Sequence, residues 1–283
     1  MNKAQARVAP PPADHRLYDA TLPGAAEIER IWHEVRLQAS DTARREPLLA
    51  ARLHAQLLDR AGPGAILAAV LARRLACPDL PEGELAGLME QVLDGDALLL
   101  RQVSADLAAV VERDPACPNY LHVLLNLKGF HALQTHRITH ALWRAGRQEL
   151  AFVLANRGSL VFAVDIHPAA RIGCGVMLDH GTGTVIGETT VIGDNVSILQ
   201  NVTLGGTGKE HGDRHPKIRS GVMLGAGATV LGNIEVGVMS KVAAGSVVLK
   251  TVPPHCTVAG VPARVVRHHQ DGACPSFDMD QSI

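Results

Sequence analysis

A histidine in a glycine-rich turn is the residue in this 283-residue sequence best suited to proton transfer. His180 directly follows Asp179, and Asp165 lies fifteen residues earlier. Histidine is the most common general base, and a carboxylate that accepts a hydrogen bond from its ring fixes the imidazole in one orientation. The pattern predicts that His180 acts as a general base with Asp165 as its partner. A simpler interpretation is that His180 only caps a turn.

A second polar segment, Asp213-Arg214-His215-Pro216-Lys217, is suited to binding an anion. A guanidinium holds a carboxylate in a bidentate fork, which lysine does less specifically. Arg214 is therefore a candidate carboxylate ligand. The alternative is a charged, solvated loop.

Two further patterns here do not predict sites. Residues 205–209 look like a phosphate loop, but Thr203 stands where the first glycine is required and Glu210 where Ser or Thr is required. His211 and His215, even with His180, lack the regular spacing that would fix the directions of metal ligands. We therefore expect neither a phosphate loop nor a metal site.

These polar segments interrupt a six-residue repeat, which identifies the element that must position them. Thirteen aliphatic residues mark the repeat: Ile166, Ile172, Leu178, Ile186, Ile192, Ile198, Leu204, Ile218, Leu224, Val230, Val236, Val242 and Val248. Short strands separated by tight turns, each placing one aliphatic side chain inside, explain this period. Residues 178–186 and 204–218 break it with eight- and fourteen-residue steps. Both breaks contain histidine, and interruptions of a regular scaffold commonly carry function.

The preceding half has apolar residues three and four apart, which is typical of helices, with prolines between the segments. We expect six to eight helices there. The predicted organisation is a disordered leader (1–24), an α-helical domain (25–162), a hexapeptide β-helix (163–252), and a C-terminal extension with a flexible tail (253–283).

The composition limits the classes of partner. Twenty-seven basic and 28 acidic residues give a net charge of −1, which does not favour nucleic acid or an anionic membrane. Five irregularly spaced cysteines predict neither a disulfide framework nor a zinc site, and they favour the reducing cytoplasm. The sequence shows no export signal and no apolar segment of the roughly 20 residues that span a bilayer. We expect small molecules or proteins as partners.

Several segments closely resemble bacterial serine acetyltransferases. They include Leu178-Asp179-His180-Gly181-Thr182-Gly183, residues 164–170, 197–208 and 212–218, and, in the helical half, residues 113–115 and 127–134. The resemblance extends from about residue 25 to residue 267. It implies a left-handed parallel β-helix, assembled as trimers that pair through the helical domain into hexamers, with active sites between subunits.

The resemblance also implies an activity: transfer of the acetyl group of acetyl-CoA to the hydroxyl of L-serine. The products are O-acetylserine and CoA, and the reaction is the first step of cysteine biosynthesis. L-cysteine is then expected as a feedback inhibitor. The C-terminal Ile283 is expected to bind O-acetylserine sulfhydrylase, since family members that end in isoleucine commonly insert it into that enzyme.

The same resemblance assigns residue roles. His180 is the base and Asp165 its partner, Asp114 and Asp179 receive the serine ammonium group, and Arg214 and His215 receive its carboxylate. The residues expected to contact CoA are Gly206, Ala226 and Ala244 through their main chains, and Lys241 or Arg264 near its phosphates. Val238, Met239 and Ala243 depart from the repeat, so a change in the shape of the CoA cleft is expected.

Two other functions fit parts of the sequence. A hexapeptide acetyltransferase acting on a sugar or antibiotic hydroxyl would share the solenoid and the histidine, but it normally lacks the long helical half and does not need Asp114. A non-catalytic assembly scaffold would leave Asp165, His180 and Arg214 without a purpose.

Overall fold

The computed structural model describes residues 22–208, 210–269 and 273–282. Its first half is helical and ends where the six-residue repeat begins. The helices are α1 (Ala25–Arg45), α2 (Pro47–Leu53), continued by a π-helical turn (His54–Leu58), α3 (Pro63–Leu75), α4 (Glu82–Asp94), α5 (Ala97–Arg113), α6 (Tyr120–Asn126), α7 (Lys128–Arg144) and α8 (Gln148–Phe162). The expected six to eight helices are therefore found between residues 25 and 162.

Local sequence signals explain where these helices begin. Pro63 occupies the first turn of α3, where a missing backbone N–H costs nothing. The Asp96 side chain caps α5 by accepting from the Leu98 N–H at 2.9 Å. The helices then bury their apolar faces against one another, and the Trp32 indole N–H in α1 donates to Ser104 Oγ in α5 at 3.0 Å. This polar contact satisfies the buried indole and fixes the register of the two helices.

The second half is a parallel β-helix of five coils. Its strands are β1 (Val164–Ile166), β2 (Arg171–Ile172), β3 (Met177–Leu178), β4 (Thr184–Ile186), β5 (Val191–Ile192), β6 (Ser197–Ile198), β7 (Thr203–Gly205), β8 (Lys217–Ile218), β9 (Met223–Leu224), β10 (Thr229–Leu231), β11 (Glu235–Val236), β12 (Lys241–Val242), β13 (Val247–Val248) and β14 (Cys256–Gly260). All thirteen predicted aliphatic positions are buried. The predicted order, helices followed by a parallel β-helix, is confirmed.

Three sheets form the sides of the β-helix. The first sheet stacks β1-β4-β7-β10-β13, the second β2-β5-β8-β11, and the third β3-β6-β9-β12-β14, with β15 (Ala263–His268) added antiparallel to β14. The chain passes from the first sheet to the second, then to the third, and returns to the first. The residues around His180 therefore form a corner between the third and first sheets. The segment 206–216 leaves the corner between the first and second sheets.

Two buried arginines attach the helical half to the β-helix. Arg137 on α7 donates from Nε to Asp106 Oδ2 at 2.7 Å and from Nη2 to Asp106 Oδ1 at 2.9 Å. It also donates to the backbone oxygen of Gly173 at 2.6 Å. Arg113 at the end of α5 donates to Asn195 and Ser197 in the second coil. These bonds fix α5, and hence the residue that follows it, relative to the first two coils.

The C-terminal segment packs across the third sheet. It contains a short helix, α9 (Pro275–Asp278), in which the Phe277 ring lies 4.1 Å from Arg113 Cζ. The Ser197 hydroxyl donates to the Ser276 oxygen at 2.7 Å. Because Ser197 and Ser276 are fully buried, this part of the tail is docked rather than extended into solvent. Within the described residues, no helix is both long and apolar enough to cross a membrane.

Candidate active site

His180 lies in a strained turn that exposes its ring. The residue has φ 53°, in the left-handed region, and the flanking Gly181 has φ 75°. Non-glycine residues adopt this conformation only when the surrounding structure imposes it. The backbone N–H of Asp179 donates to Ile198 O at 2.8 Å, which anchors the start of the turn to the next coil. The His180 side chain is 73% exposed, and its Nε2 lies 3.9 Å from Asp179 Oδ1. The imidazole is therefore accessible to a substrate hydroxyl.

Two carboxylates from different halves of the molecule meet beside this histidine. Asp114 follows α5 immediately before Pro115, and its Oδ1 accepts from the Ala116 N–H at 2.8 Å. Burial raises the pKa of Asp179, the neighbouring Asp114 carboxylate raises it further, and His180 opposes the shift. Two carboxylates that repel each other in this way favour a cation between them. The predicted ammonium ligands, Asp114 and Asp179, therefore lie within electrostatic range of each other.

The predicted carboxylate ligands lie at the next corner of the coil. Arg214 donates from Nη2 to Glu188 Oε2 at 2.7 Å and from Nη1 to Gly212 O at 3.1 Å. Its backbone N–H donates to Thr189 Oγ1 at 3.0 Å. Since a guanidinium has five N–H donors, these bonds orient the side chain and leave donors for an anion.

His215 is held as a neutral donor at the same corner. Its Nδ1 faces the Thr189 hydroxyl at 2.9 Å and accepts from the Thr189 N–H at 3.2 Å. Because Nδ1 accepts from that backbone N–H, it carries no proton of its own. Burial lowers the pKa of His215 and Arg214 lowers it further, while Glu188 opposes this. Neutral His215 thus carries its proton on Nε2, where it can be donated to a carboxylate.

The structure does not bring Asp165 to His180 within one chain. Asp165 is exposed on the outer face of the first sheet, in β1. Burial lowers the pKa of His167, and Glu188 and, more weakly, Asp165 oppose that shift. Among the described residues, no hydrogen bond or ion pair joins Asp165 to His180. Asp165, His167 and Arg214 therefore belong to one cluster, and Asp114, Asp179 and His180 to another.

The width of the first sheet separates these two clusters. His180 lies before the start of β4, at the corner where the strands of that sheet begin. Arg214 lies after β7, at the corner where those strands end. Strands of three residues span about 10 Å at 3.3 Å per residue. A small amino acid carries its ammonium and carboxylate on one carbon atom, so it cannot contact both clusters of a single chain.

Two of the predicted CoA contacts lie below His180 on the same corner. Ala226 lies two residues after β9, and Ala244 lies two residues after β12. His180 has the same position after β3, and all three strands belong to the third sheet. The Gly245 N–H donates to Ala226 O at 2.8 Å. A Cβ on Gly225 would lie 2.6 Å from the Ala244 nitrogen, so successive coils pack closely here. Ala226 and Ala244 therefore form a column on the corner that carries His180, with Gln200 of the second coil between this column and the base.

The other predicted CoA contacts do not join this column. Gly206 follows β7 and lies beside Arg214 at the opposite corner. Arg264 is exposed on β15. Lys241 is buried, and its ammonium donates to the backbone oxygens of Asp280, at 2.9 Å, and Ser282. In one chain the docked C-terminal segment therefore occupies the Lys241 donor.

The departures from the repeat affect the column less than the sequence suggests. Val238 and Met239 lie between β11 and β12, at the corner between the second and third sheets. Met239 packs against Gly221 there. Only Ala243 adjoins the column, and it is buried.

Sequence reasoning missed four polar residues that shape the two clusters. Glu188 and Thr189 orient Arg214 and His215, His167 lies beside Asp165, and the Lys128 ammonium donates to the Thr182 hydroxyl next to His180. The repeat could have predicted the roles of Glu188 and Thr189. They follow β4 at the same corner from which the Arg214 loop leaves after β7, one coil later. Among the described residues, no group of three or more His, Cys, Asp or Glu side chains is arranged to hold a metal ion.

Comparison with known proteins identifies the family. A sequence model described as serine acetyltransferase, N-terminal, matches residues 31–135. The serine acetyltransferase of Escherichia coli K12 is 53% identical over 255 residues, which cover 90% of this chain and 93% of that protein. This chain belongs to the serine acetyltransferase family. The relatedness covers both halves, including the corners that hold His180 and Arg214.

Solved structures of the family share the fold. A serine acetyltransferase in complex with cysteine is 50% identical, with a TM-score of 0.88, and the match covers 90% of this chain and 99% of that one. The Brucella abortus strain S19 serine acetyltransferase in complex with coenzyme A is 48% identical, with a TM-score of 0.85 and coverage of 88% and 99%. The helical half and the β-helix are therefore arranged as in this family.

Proposed function

We propose that this protein transfers the acetyl group of acetyl-CoA to the hydroxyl of L-serine, giving O-acetylserine and CoA in the first step of cysteine biosynthesis. The observation that carries the proposal is the exposed His180 ring beside Asp179 in the first coil, within electrostatic range of Asp114 from the helical half. The paired carboxylates suit an ammonium group beside a base. The likeness to serine acetyltransferases, one of them solved with coenzyme A, supplies the reaction and the cosubstrate.

In the proposed mechanism His180 takes the proton of the serine hydroxyl as the oxygen attacks the thioester carbon of acetyl-CoA. A bond forms between that oxygen and carbon, and the carbon–sulfur bond then breaks. The proton held by His180 passes to the sulfur of the departing CoA, so the base is restored. Asp114 and Asp179 hold the ammonium group, and the column through Ala226 and Ala244 carries the pantetheine toward His180.

We propose that the complete site forms between two copies of the chain, in a trimer that pairs into hexamers. The separation of Arg214 from His180 by one sheet width supports this arrangement. A neighbouring copy would bring Arg214, His215 and Asp165 to the exposed His180. Asp165 would then orient the imidazole across the interface, a role that it does not perform within one chain.

Thiol release from acetyl-CoA tests the proposed substrate. The rate should be highest with L-serine and low with homoserine, galactosides and chloramphenicol. D-serine, whose ammonium group and hydroxyl cannot both fit the same contacts, is the matched negative acceptor. Faster acetylation of a galactoside or chloramphenicol than of L-serine would favour the sugar or antibiotic alternative, and no thiol release with any acceptor would favour the scaffold.

The Arg214→Lys variant should raise the KM for serine by about tenfold or more, while the KM for acetyl-CoA changes less than twofold. Lysine keeps the charge but loses the bidentate fork, whose loss costs about 1.5–3 kcal/mol for a charged hydrogen bond. Steady-state kinetics with each substrate varied would measure both constants. Equal changes in the two KM values would contradict the role.

L-cysteine should inhibit by occupying the serine site, because it carries the same ammonium and carboxylate. The family member solved with cysteine supports this proposal. Arg214→Lys should therefore weaken cysteine inhibition in parallel with serine binding. Inhibition that saturating serine does not relieve would place cysteine elsewhere.

We propose that the C-terminal Ile283 binds O-acetylserine sulfhydrylase. This residue lies outside the described residues, and the support for the proposal is the family to which the chain belongs. Deleting Ile283 should abolish the complex, measured by calorimetry, without lowering acetyl transfer. Ile283→Val, which keeps a branched side chain, is the matched control, and undiminished binding by the deleted protein would place the contact elsewhere.

The proposed setting is the cytoplasm. Five irregularly spaced cysteines in the sequence fit a reducing compartment, in which thiols persist.

A further inference from the structure

The first turn of α7 contacts both sides of the turn that carries His180. Gly129 faces the start of that turn, because a Cβ placed on it would overlap the Leu178 carbonyl oxygen and lie 3.0 Å from the carbonyl carbon. Lys128 reaches the other side, where its ammonium donates to the Thr182 hydroxyl. Leu178 is two residues before His180, and Thr182 is two residues after it. The helix therefore contacts the turn at two points with the histidine between them.

The turn needs such support, because its own backbone is strained. His180, Gly181 and Gly183 all have positive φ, at 53°, 75° and 75°. A non-glycine residue in this region is strained, and the surrounding structure must offset that strain. The turn also contains the two extra residues that interrupt the repeat. The neighbouring coil bonds its two ends, through Asp179 N and Thr182 O, but those bonds do not hold its side chains.

We propose that Lys128 and Thr182 form a positioning pair that holds His180 in its reactive orientation. The bond between them joins the helical half to the catalytic corner at a point that the serine and CoA contacts do not use. Lys128 acts through Thr182 and the turn backbone, and it does not touch the reacting atoms. The inference rests on the proposed function, in which His180 is the base.

The geometry predicts an effect on turnover rather than on substrate binding. When a catalytic group is held less firmly, a smaller fraction of encounters has the reactive geometry, and a misplacement of about 1 Å can cost as much as 10²-fold. Within the described part of the chain, no hydrogen bond or ion pair joins the side chains of this pair to the ammonium ligands Asp114 and Asp179 or to the column at Ala226 and Ala244. Loss of the pair should therefore lower kcat and leave both KM values nearly unchanged.

A double-mutant cycle tests the pair. Lys128→Met keeps the length of the side chain and removes its charge, and Thr182→Val replaces the hydroxyl with a methyl group of similar size. Each single variant should lower kcat about tenfold, with both KM values within twofold of wild type. The double variant should lose no more than either single variant, because residues that act through one contact are not additive.

One conservative variant and one remote lysine complete the experiment. Thr182→Ser keeps the hydroxyl and should restore kcat to within about twofold of wild type. Lys250→Met removes an exposed lysine of the fifth coil and should leave kcat unchanged. If Lys128→Met reduces folding as judged by its thermal midpoint, Thr182→Val and Thr182→Ser still decide the question, because they alter only the exposed end of the contact.

Several outcomes would overturn the inference. Multiplied losses in the double variant would show that the residues act separately. A large rise in the acetyl-CoA KM with Lys128→Met alone would make Lys128 a substrate contact. Equal activity of Thr182→Val and Thr182→Ser would show that the hydroxyl is not used. Failure of the proposed function would give a different result: full activity of a His180→Ala variant would show that His180 is not the base.

Discussion

Replacing His180 with alanine should lower kcat by about 10²- to 10⁴-fold, the range typical for loss of a general base. The serine hydroxyl would then have to lose its proton to water while it attacks the thioester. The KM for acetyl-CoA should change little, because the pantetheine column begins beyond the imidazole. Steady-state and single-turnover measurements would separate the chemical step from product release.

Asp165→Asn should lower kcat in the same direction but less, because it disturbs the orientation of His180 without removing it. Mixing the Asp165→Asn and His180→Ala proteins adds a test of the site between copies. Mixed trimers contain interfaces that are altered at both residues and interfaces that are altered at neither. Exchange of subunits should therefore restore part of the activity. Activity of His180→Ala within a few fold of wild type would rule out the proposed base.

Replacing Arg137 with methionine should destabilise the protein by about 3–5 kcal/mol, the cost of breaking a buried ion pair. Asp106 is fully buried, and among the described residues it would keep the hydrogen-bond donors of Gln134, at 3.0 Å, and of the Val176 N–H, at 3.0 Å. Its charge would then be poorly compensated. Urea unfolding at one fixed protein concentration would measure the loss as a lower midpoint, since oligomer stability depends on concentration.

The matched control is a surface pair of the same type. Arg45 lies 2.6 Å from Asp41 on α1, with both side chains exposed, so Arg45→Met should cost no more than about 1 kcal/mol. The double variant Arg137→Met with Asp106→Leu should recover much of the loss, because it leaves no isolated charge. An Arg137→Met protein as stable as the Arg45→Met protein would mean that the buried pair adds no net stability.

The six-residue period by itself was enough to predict the β-helix. Each side of each coil needs one inward aliphatic residue, so the pattern repeats wherever the coil repeats, and all thirteen positions are buried. The two breaks in the period also predicted where the polar corners lie. Extra residues cannot stay in a coil of fixed length, so they leave it where His180 and Arg214 lie.

The sequence did not reveal which of these residues meet. Asp165 and His180 are one coil apart in sequence, and this spacing suggested a contact. Stacking instead places Asp165 at the centre of β1, the edge strand of the first sheet, and His180 in the corner that precedes β4. Asp114 is more than sixty residues before Asp179, yet the end of α5 lies beside the first coil.

The sequence alone therefore determined the elements, the inward residues and the segments that carry chemistry, because these follow from local periodicity and its interruptions. The tertiary structure decided the partners: Glu188 and Thr189 for Arg214, and Thr182 for Lys128. Such partners depend on how coils stack and on where helices end against them. Single polar residues on separate elements leave no periodic pattern, so only the packed structure shows which side chains come within hydrogen-bonding distance.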